Sequence, residues 1–368
     1  MIQAYQSPLV GKTVGVVFGT FAPLHQGHLD LIMRAKKEND AGCLILVDGR
    51  DDDRGEELLN LKRRYRYIRE FFADDDLVAV HAIDESELDI KPYPQGWEKF
   101  MQETLRILRT VTEAEPVFYV GEQGYYDYLV EHGYKCIKLK RTDHIISATL
   151  IRQNPIKHWD QIATPFRRLY SYNILICGTA SEGKTIMTTD IGKYFNAPYS
   201  YEWARKYMKE SCIAEWELDG GDYLALLQGQ YTLNKAMINS PGNHGIFIAD
   251  SDSMVTRTYA EHYSKDPTCA ITPEQFEKVA ILADEITAKC KWDKIFILAP
   301  HGVFVDDHER YMAHSGMDER QQMFDILCRN IKNSGNWDKV TILNGSYYEN
   351  FLSISNHIKE VIRKGLEQ

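Results

Sequence analysis

The sequence predicts two α/β domains with largely parallel sheets, because the chain opens a strand, a loop and a helix twice, with different loop chemistry each time. Val14 to Phe18 is a short apolar, β-branched run that passes through Gly19-Thr20-Phe21-Ala22-Pro23 into a helical period from Gln26 to Glu38. Tyr172 to Cys177 is a second such run, followed by a loop from Gly178 to Thr185 and a helix from Ile186 to Phe195. The third observation is length: 368 residues exceed one small core and leave room for two.

In the first half, Leu29, Ile32, Met33 and Ala35 carry the first helix, and Leu44 to Val47 is the next strand candidate, ahead of an acidic loop from Asp48 to Glu57. Lys62 to Phe72 is helical, with Tyr65, Ile68 and Phe72 on one side. Leu77 to Ala82 and Val117 to Val120 read as strands, separated by a helix from Trp97 to Val111. Strands alternating with helices indicate a parallel sheet, whose ligands gather beyond the strands' carboxyl ends. The irregular stretch from Asn154 to Arg168, with Pro155 and Pro165, places the expected boundary between domains 1–160 and 161–368. In the second half, Ile246 to Ala249 and Lys294 to Leu298 are strands, and Pro273 to Lys289 and Arg320 to Ile331 are helices.

Hydrophobic residues at 44% and charged residues at 26% indicate an ordinary globular chain rather than a disordered one. With 53 acidic against 43 basic residues, the net charge of −10 excludes a broad basic field for nucleic acid or anionic membranes. Met1 to Val10 has no leader pattern and no apolar run reaches membrane-span length, so a cytoplasmic location is expected. The seven cysteines stand singly and suggest neither a disulfide framework nor a metal site.

The first strand delivers the chain into Leu24-His25-Gln26-Gly27-His28 at the start of a helix. Helix-start N–H groups and the dipole favour an anion there, and two histidines three apart can face one phosphate. Helix-start histidines satisfied by local hydrogen bonds are the plain alternative; a metal site lacks further ligands nearby. Downstream, Ile146-Ser147-Ala148-Thr149-Leu150-Ile151-Arg152 follows Lys140-Arg141-Thr142-Asp143. Ser147 can cap a helix whose Arg152 reaches back to the same phosphates.

HxGH followed by ISxTxxR is the signature pair of the nucleotidylyltransferase superfamily. With Val14 to Leu24, Asp52-Asp53-Arg54-Gly55, Lys62-Arg63 and Tyr119-Val120-Gly121-Glu122, the chain resembles the bifunctional nicotinamide mononucleotide adenylyltransferase and ribosylnicotinamide kinase family from about Gly11 to Ile362. The resemblance implies a Rossmann-like nucleotidylyltransferase fold in the first half and adenylyl transfer from ATP to nicotinamide mononucleotide, giving NAD and pyrophosphate. The acceptor phosphate is already anionic, so the chemistry needs alignment and charge stabilisation rather than a base. His25, His28 and Arg152 are the catalytic candidates. Gly19, Thr20, Phe21, Lys62, Arg63, Gly121, Glu122, Ser147 and Thr149 are binding candidates, and Mg²⁺ is held mainly by the nucleotide. Trp97, after Pro92-Tyr93-Pro94-Gln95-Gly96, is the candidate to stack on nicotinamide, with a rim or core aromatic as the alternative. Asp51-Asp52-Asp53 reads either as functional or as a solvated turn.

Gly178-Thr179-Ala180-Ser181-Glu182-Gly183-Lys184-Thr185 fits GxxxxGK[ST] between a strand and a helix, the context that gives the motif meaning. Backbone N–H groups around Gly178, Ser181 and Gly183 cradle phosphates, Lys184 meets the β/γ-phosphates, and the Thr185 hydroxyl meets Mg²⁺. Asp250, closing the strand in Ile246-Phe247-Ile248-Ala249-Asp250-Ser251-Asp252, is the metal-linked acid; a capping turn is the alternative for this pair of carboxylates. The resemblance implies a P-loop kinase fold and further roles for Glu202 and Arg205, for Asp222 in Gly221-Asp222-Tyr223, and for lid residues Asp306, Asp307, Arg310 and Arg320. Glu202 and Asp222 are both candidates for the base that deprotonates a riboside hydroxyl. Two departures stand out: Glu182 replaces a small hydroxyl residue, and Asp306-Asp307-His308 replaces Asp-Asp-Gly.

The leading expectation is a salvage enzyme with ATP, nicotinamide riboside and nicotinamide mononucleotide as its small-molecule partners and NAD as product. An adenylyltransferase whose weak or inactive kinase half serves as a nucleotide-binding sensor is the alternative, motivated by Glu182. A catalysis-free sensor acting on a partner such as a transporter is a third reading, against which His25, His28, Arg152 and Lys184 count. Some family members carry an N-terminal DNA-binding domain; here the first strand begins near residue 13, and none is expected. Homo-oligomerisation is left open.

Overall fold

A computed structural model describes residues 8–50, 58–139, 146–301 and 316–367. The acidic turn Asp51-Asp52-Asp53 with Arg54 and Gly55, the segment Lys140 to Asp143, and Asp306, Asp307, His308 and Arg310 lie outside the described residues. The chain divides into two compact units, residues 1–170 and 171–367.

The first unit runs β1 (Thr13–Gly19), α1 (Gln26–Glu38), β2 (Cys43–Gly49), α2 (Leu61–Phe71), β3 (Val78–Asp84), α3 (Trp97–Val111), β4 (Glu115–Val120), α4 (Gln123–Glu131), β5 (Cys136–Lys138), α5 (Ala148–Gln153) and α6 (Thr164–Arg167). Its sheet has the order β3-β2-β1-β4-β5, with every pair parallel. Strand order reverses between β1 and β4, where Val16 pairs with Phe118. A crevice opens outside the carboxyl ends of strands at such a reversal. Buried alternation on both faces accounts for the strands: Val17, Ile45 and Val80 pack with Ile32, Ala35 and Ile68 on one side, and Val16, Leu44 and Leu46 with Phe100 and Leu108 on the other.

Residues 161–170 belong to this unit, so the break falls after the expected 160/161 boundary. Backbone pairing supplies the reason. His25 bridges Ile162, and the Ala163 N–H donates to the Leu24 carbonyl at 3.1 Å. Ile162, Ala163 and Phe166 are then buried in the first core.

The second unit runs β6 (Tyr172–Gly178), α7 (Lys184–Phe195), β7 (Tyr199–Ser200), α8 (Trp203–Ser211), α9 (Gly220–Ile238), β8 (Ile246–Asp250), α10 (Ser253–Tyr263), α11 (Pro273–Thr287), β9 (Lys294–Leu298), α12 (Met317–Asn333), β10 (Val340–Leu343) and α13 (Tyr347–Glu367). Its sheet, β10-β9-β6-β8-β7, is also parallel throughout. β6 is central, and Ile176 pairs with Asp250, which sets that carboxylate beside the Gly178 loop. The cysteines are free. Among the described residues no helix is long and apolar enough to cross a membrane, and no group of three His, Cys, Asp or Glu side chains could hold a metal.

Candidate functional sites

A cavity of about 590 Å³ opens at the β1/β4 reversal and is lined by Gly19, Thr20, Phe21, His25, His28, Trp97, Gly121, Glu122, Ser147, Thr149 and Arg152, among others. The two signature segments, far apart in sequence, therefore share one wall. His25 is the extended residue that starts α1, and its carbonyl accepts the N–H groups of His28 at 2.8 Å and Leu29 at 3.0 Å. The two imidazoles stack with centroids 3.7 Å apart. Gly27 permits this arrangement, since a Cβ there would lie 3.3 Å from the His25 ring and 3.5 Å from Ile146.

Ser147 caps α5, its Oγ accepting from the Leu150 N–H at 3.2 Å. Arg152 lines the cavity, and its Nη1 donates to the Ala22 carbonyl at 2.6 Å. That bond ties the ISxTxxR helix to the β1–α1 turn. The Thr20 hydroxyl donates to Asp48 at 3.3 Å on the facing wall.

Lys62 and Arg63 are not among the cavity-lining residues. The inward cation of that run is Arg64, which sequence reading passed over. It is fully buried on the α2 face shared with Leu61 and Ile68. It donates to the carbonyls of Leu59 at 2.7 Å, Asp48 at 2.9 Å and Thr20. The charge-assisted bonds to Thr20 and Asp48 tie α2 to the ends of β1 and β2 at the cavity, and the third, to Leu59, closes the turn before α2. The i, i+3, i+7 spacing of Leu61, Arg64 and Ile68 was the available signal.

Trp97 lines the cavity but is 5% exposed. Its ring already stacks on Phe100 and Tyr125, with centroids 5.3 Å and 5.1 Å away. Phe100 and Tyr125 line the same cavity, so the three rings form one aromatic wall within it. Trp97→Ala should cost the first unit roughly 3–5 kcal/mol by cavity formation, read as a lower midpoint in urea unfolding.

In the second unit, Gly178, Ser181 and Gly183 all have positive φ, at 152°, 61° and 77°. Gly183 precedes α7 in the left-handed region, the kind of backbone turn from which anion nests are built. Lys184 is buried, with Nζ donating to the Thr179 carbonyl at 2.7 Å. The Thr185 hydroxyl donates to Asp250 Oδ2 at 2.6 Å. Asp250 Oδ1 is buried with no hydrogen-bond partner, and burial together with the Glu202 charge pushes this carboxyl up to about 6. A hydroxyl and an orphaned carboxylate oxygen beside a phosphate loop fit a divalent cation.

The neighbouring Asp252 is the capping residue. It is buried and accepts from the N–H groups of Met254 and Val255 at 3.0 and 3.2 Å and from Trp292 Nε1 at 3.0 Å. Glu202 is also buried, accepts from Arg205 Nε at 3.1 Å, and lines a narrow cavity of about 30 Å³ with Gln230, Tyr223 and Tyr259. Asp222 is absent from that lining. It is bound instead by the Asp219 N–H at 2.9 Å, in the capping box of α9, and by the Tyr207 hydroxyl at 2.7 Å. Arg320, expected at the nucleotide, is buried and donates to Glu182 Oε1 at 2.8 Å. The Glu182 side chain turns away from solvent into this contact, which answers the repulsion its sequence position implied.

A parallel sheet with paired HxGH and ISxTxxR segments at its reversal point, joined to a phosphate loop on a second parallel sheet, defines a two-domain nucleotide-transferring enzyme. The Cytidylyltransferase-like family matches residues 16–165 and the AAA domain family residues 173–349. A solved NadR structure in complex with NR is 35% identical, with a TM-score of 0.81 over 93% of this chain and 92% of that one. Another, with NAD and AMP-PNP, is 34% identical, with a TM-score of 0.82 over 96% of this chain and 97% of that one. The chain belongs to the NadR family. The trifunctional NAD biosynthesis/regulator protein NadR of Escherichia coli (strain K12) is 26% identical over 96% of this chain and 85% of that protein.

Proposed function

We propose that the first unit transfers the adenylyl group of ATP to nicotinamide mononucleotide and that the second phosphorylates nicotinamide riboside to that mononucleotide. The observation that carries the first assignment is the single cavity shared by His25, His28 and Arg152. The NadR structures solved with NR and with NAD and AMP-PNP support the substrate classes.

In the first site, an oxygen of the mononucleotide phosphate attacks the α-phosphorus of ATP. The bond to the bridging oxygen breaks, and its electrons leave with pyrophosphate. No proton has to be removed from the nucleophile. The start of α1, the imidazoles of His25 and His28 and the guanidinium of Arg152 lower the cost of bringing two anions together and of charge growing on the leaving group. Thr20, Ser147 and Thr149 complete the polar wall, and Arg64 holds its frame.

In the second site, the riboside 5′-hydroxyl attacks the γ-phosphorus, its proton passes to a carboxylate, and ADP leaves. Glu202 is the base in this reading, because it lines the cavity with Ser251 and its charge reaches Asp250, whereas both Asp222 oxygens serve the fold. Lys184 neutralises charge on the transferred group. Thr185 and Asp250 would hold Mg²⁺, which supplies charge neutralisation on the nucleotide phosphates. Glu202→Gln should lower kinase kcat by roughly 10²–10⁴-fold. Asp222→Ala should leave kcat nearly unchanged and cost about 1 kcal/mol of stability, separable by steady-state kinetics and urea unfolding.

Purified protein given nicotinamide riboside, ATP and Mg²⁺ tests the kinase assignment directly. ADP and mononucleotide should appear together; their absence across pH would leave only the adenylyltransferase. Because Arg320 and His301 compensate Glu182, that residue no longer argues for an inactive second site.

A further inference from the structure

The phosphate loop of the second unit carries a carboxylate whose side chain is fully buried, at Glu182. Both its oxygens are engaged. Oε1 accepts from Arg320 Nη1 at 2.8 Å; Oε2 accepts from the His301 backbone N–H at 3.2 Å and lies 3.0 Å from His301 Nδ1. Glu182 stands between two residues of positive φ, Ser181 at 61° and Gly183 at 77°. For serine that conformation is uphill and persists only where tertiary contacts impose it.

A lone carboxylate here would be costly to bury and would repel a triphosphate. Paired with Arg320, itself 2% exposed, it carries no net charge into the loop. The same burial argues against a latch that opens in each turnover, since separating the pair would strand two charges away from water. The pair is therefore a permanent part of the loop's frame.

We infer that Glu182 is a positioning residue for the second nucleotide site: acting through Arg320 and His301, it braces the phosphate loop in the conformation that receives the nucleotide's phosphates. The chemistry of the ligand is a nucleoside triphosphate with its divalent cation. Glu182 does not touch it. The inference rests on reading the second unit as an ATP-using site, and its test can be separated from that reading.

The experiment uses the full chain and measures MgATP in two ways: as KM in riboside phosphorylation, and as the Lys184-dependent part of fluorescent ATP-analogue binding, with Lys184→Ala as zero. Glu182→Gln, which keeps the shape, and Glu182→Ala should each weaken ATP binding by roughly 10–100-fold, the range typical when an outer-shell partner is lost. The riboside KM should not move. In Glu182→Ala/Arg320→Ala, which removes both charges, thermal stability should recover relative to Glu182→Ala while ATP binding stays weak. Unchanged or tighter ATP binding on neutralising Glu182 would overturn the inference, and so would recovery of ATP affinity together with stability in the double variant. If the wild-type protein phosphorylates no riboside, the kinase reading fails, but Lys184-dependent ATP binding still reports on Glu182.

Discussion

Replacing His28 by alanine should lower NAD formation from nicotinamide mononucleotide by roughly 10²–10³-fold, the usual loss when one preorganised donor to a developing charge is removed. His28 sits on the first turn of α1, stacked on His25 in the cavity wall. Its ring lies edge-on to Phe21, with centroids 5.0 Å apart, so its placement is set by packing before any nucleotide arrives. In the proposed reaction the group acts on charge that develops in the transition state, so kcat should fall more than KM rises. Riboside phosphorylation should remain near the wild-type rate. Parallel assays of NAD and mononucleotide formation on one preparation read both effects. A fall in both activities in a folded protein would contradict the separation of the sites.

Lys184→Ala should do the reverse, lowering riboside phosphorylation by roughly 10²–10³-fold while NAD formation from supplied mononucleotide continues. The Lys184 ammonium group is buried at the phosphate loop and donates to the Thr179 carbonyl at 2.7 Å, a position from which the proposed kinase would use it on the β- and γ-phosphates. Alanine removes that charge and leaves Thr185 and Asp250 in place, so the remaining activity measures what the loop and the cation achieve without it. The same assays with riboside as the starting substrate supply the measurement.

Much of this arrangement was legible in the sequence. Strands such as β1, β6 and β9 are mostly apolar runs, and α1 and α3 carry one apolar stripe each, so pattern alone locates them closely. The helices α9 and α10 leave little trace in the pattern. α10 buries nine of its eleven residues, the polar Ser253, Thr258, Glu261 and His262 among them, so burial there does not follow residue type. In α9, buried Gln230 and Asn234 interrupt the apolar surface. They do so for a reason: Gln230 accepts from the Trp203 N–H at 2.7 Å and Asn234 donates to the Ser251 carbonyl at 3.3 Å, steadying the turns that carry Glu202 and Asp250. The short edge strand β5 offers three residues, too few for alternation to register.

The site was legible where a motif is local and less so where its meaning depends on a distant partner. The loop from Gly178 to Thr185 announces itself through glycine spacing and its place between strand and helix. Glu182 read as a repulsive intrusion because Arg320 lies 138 residues away in sequence. Arg64 was hidden in a cationic run whose exposed neighbour, Lys62, looks chemically equivalent until burial separates them. For Trp97, the Pro92 to Gly96 turn points to a cavity position, but its ring partners, Phe100 one helical turn further on and Tyr125 from α4, are set by the fold.

The most direct test of two consecutive activities in one chain is to mix the two inactivated proteins. Given nicotinamide riboside, ATP and Mg²⁺, neither His28→Ala nor Lys184→Ala alone should make appreciable NAD. The former should accumulate mononucleotide, and the latter should leave riboside unused. Together they should form NAD after a lag, as mononucleotide released by the first protein is adenylylated by the second. NAD formation from riboside at the wild-type rate by either variant alone, or none from the mixture while both proteins are folded, would contradict the account.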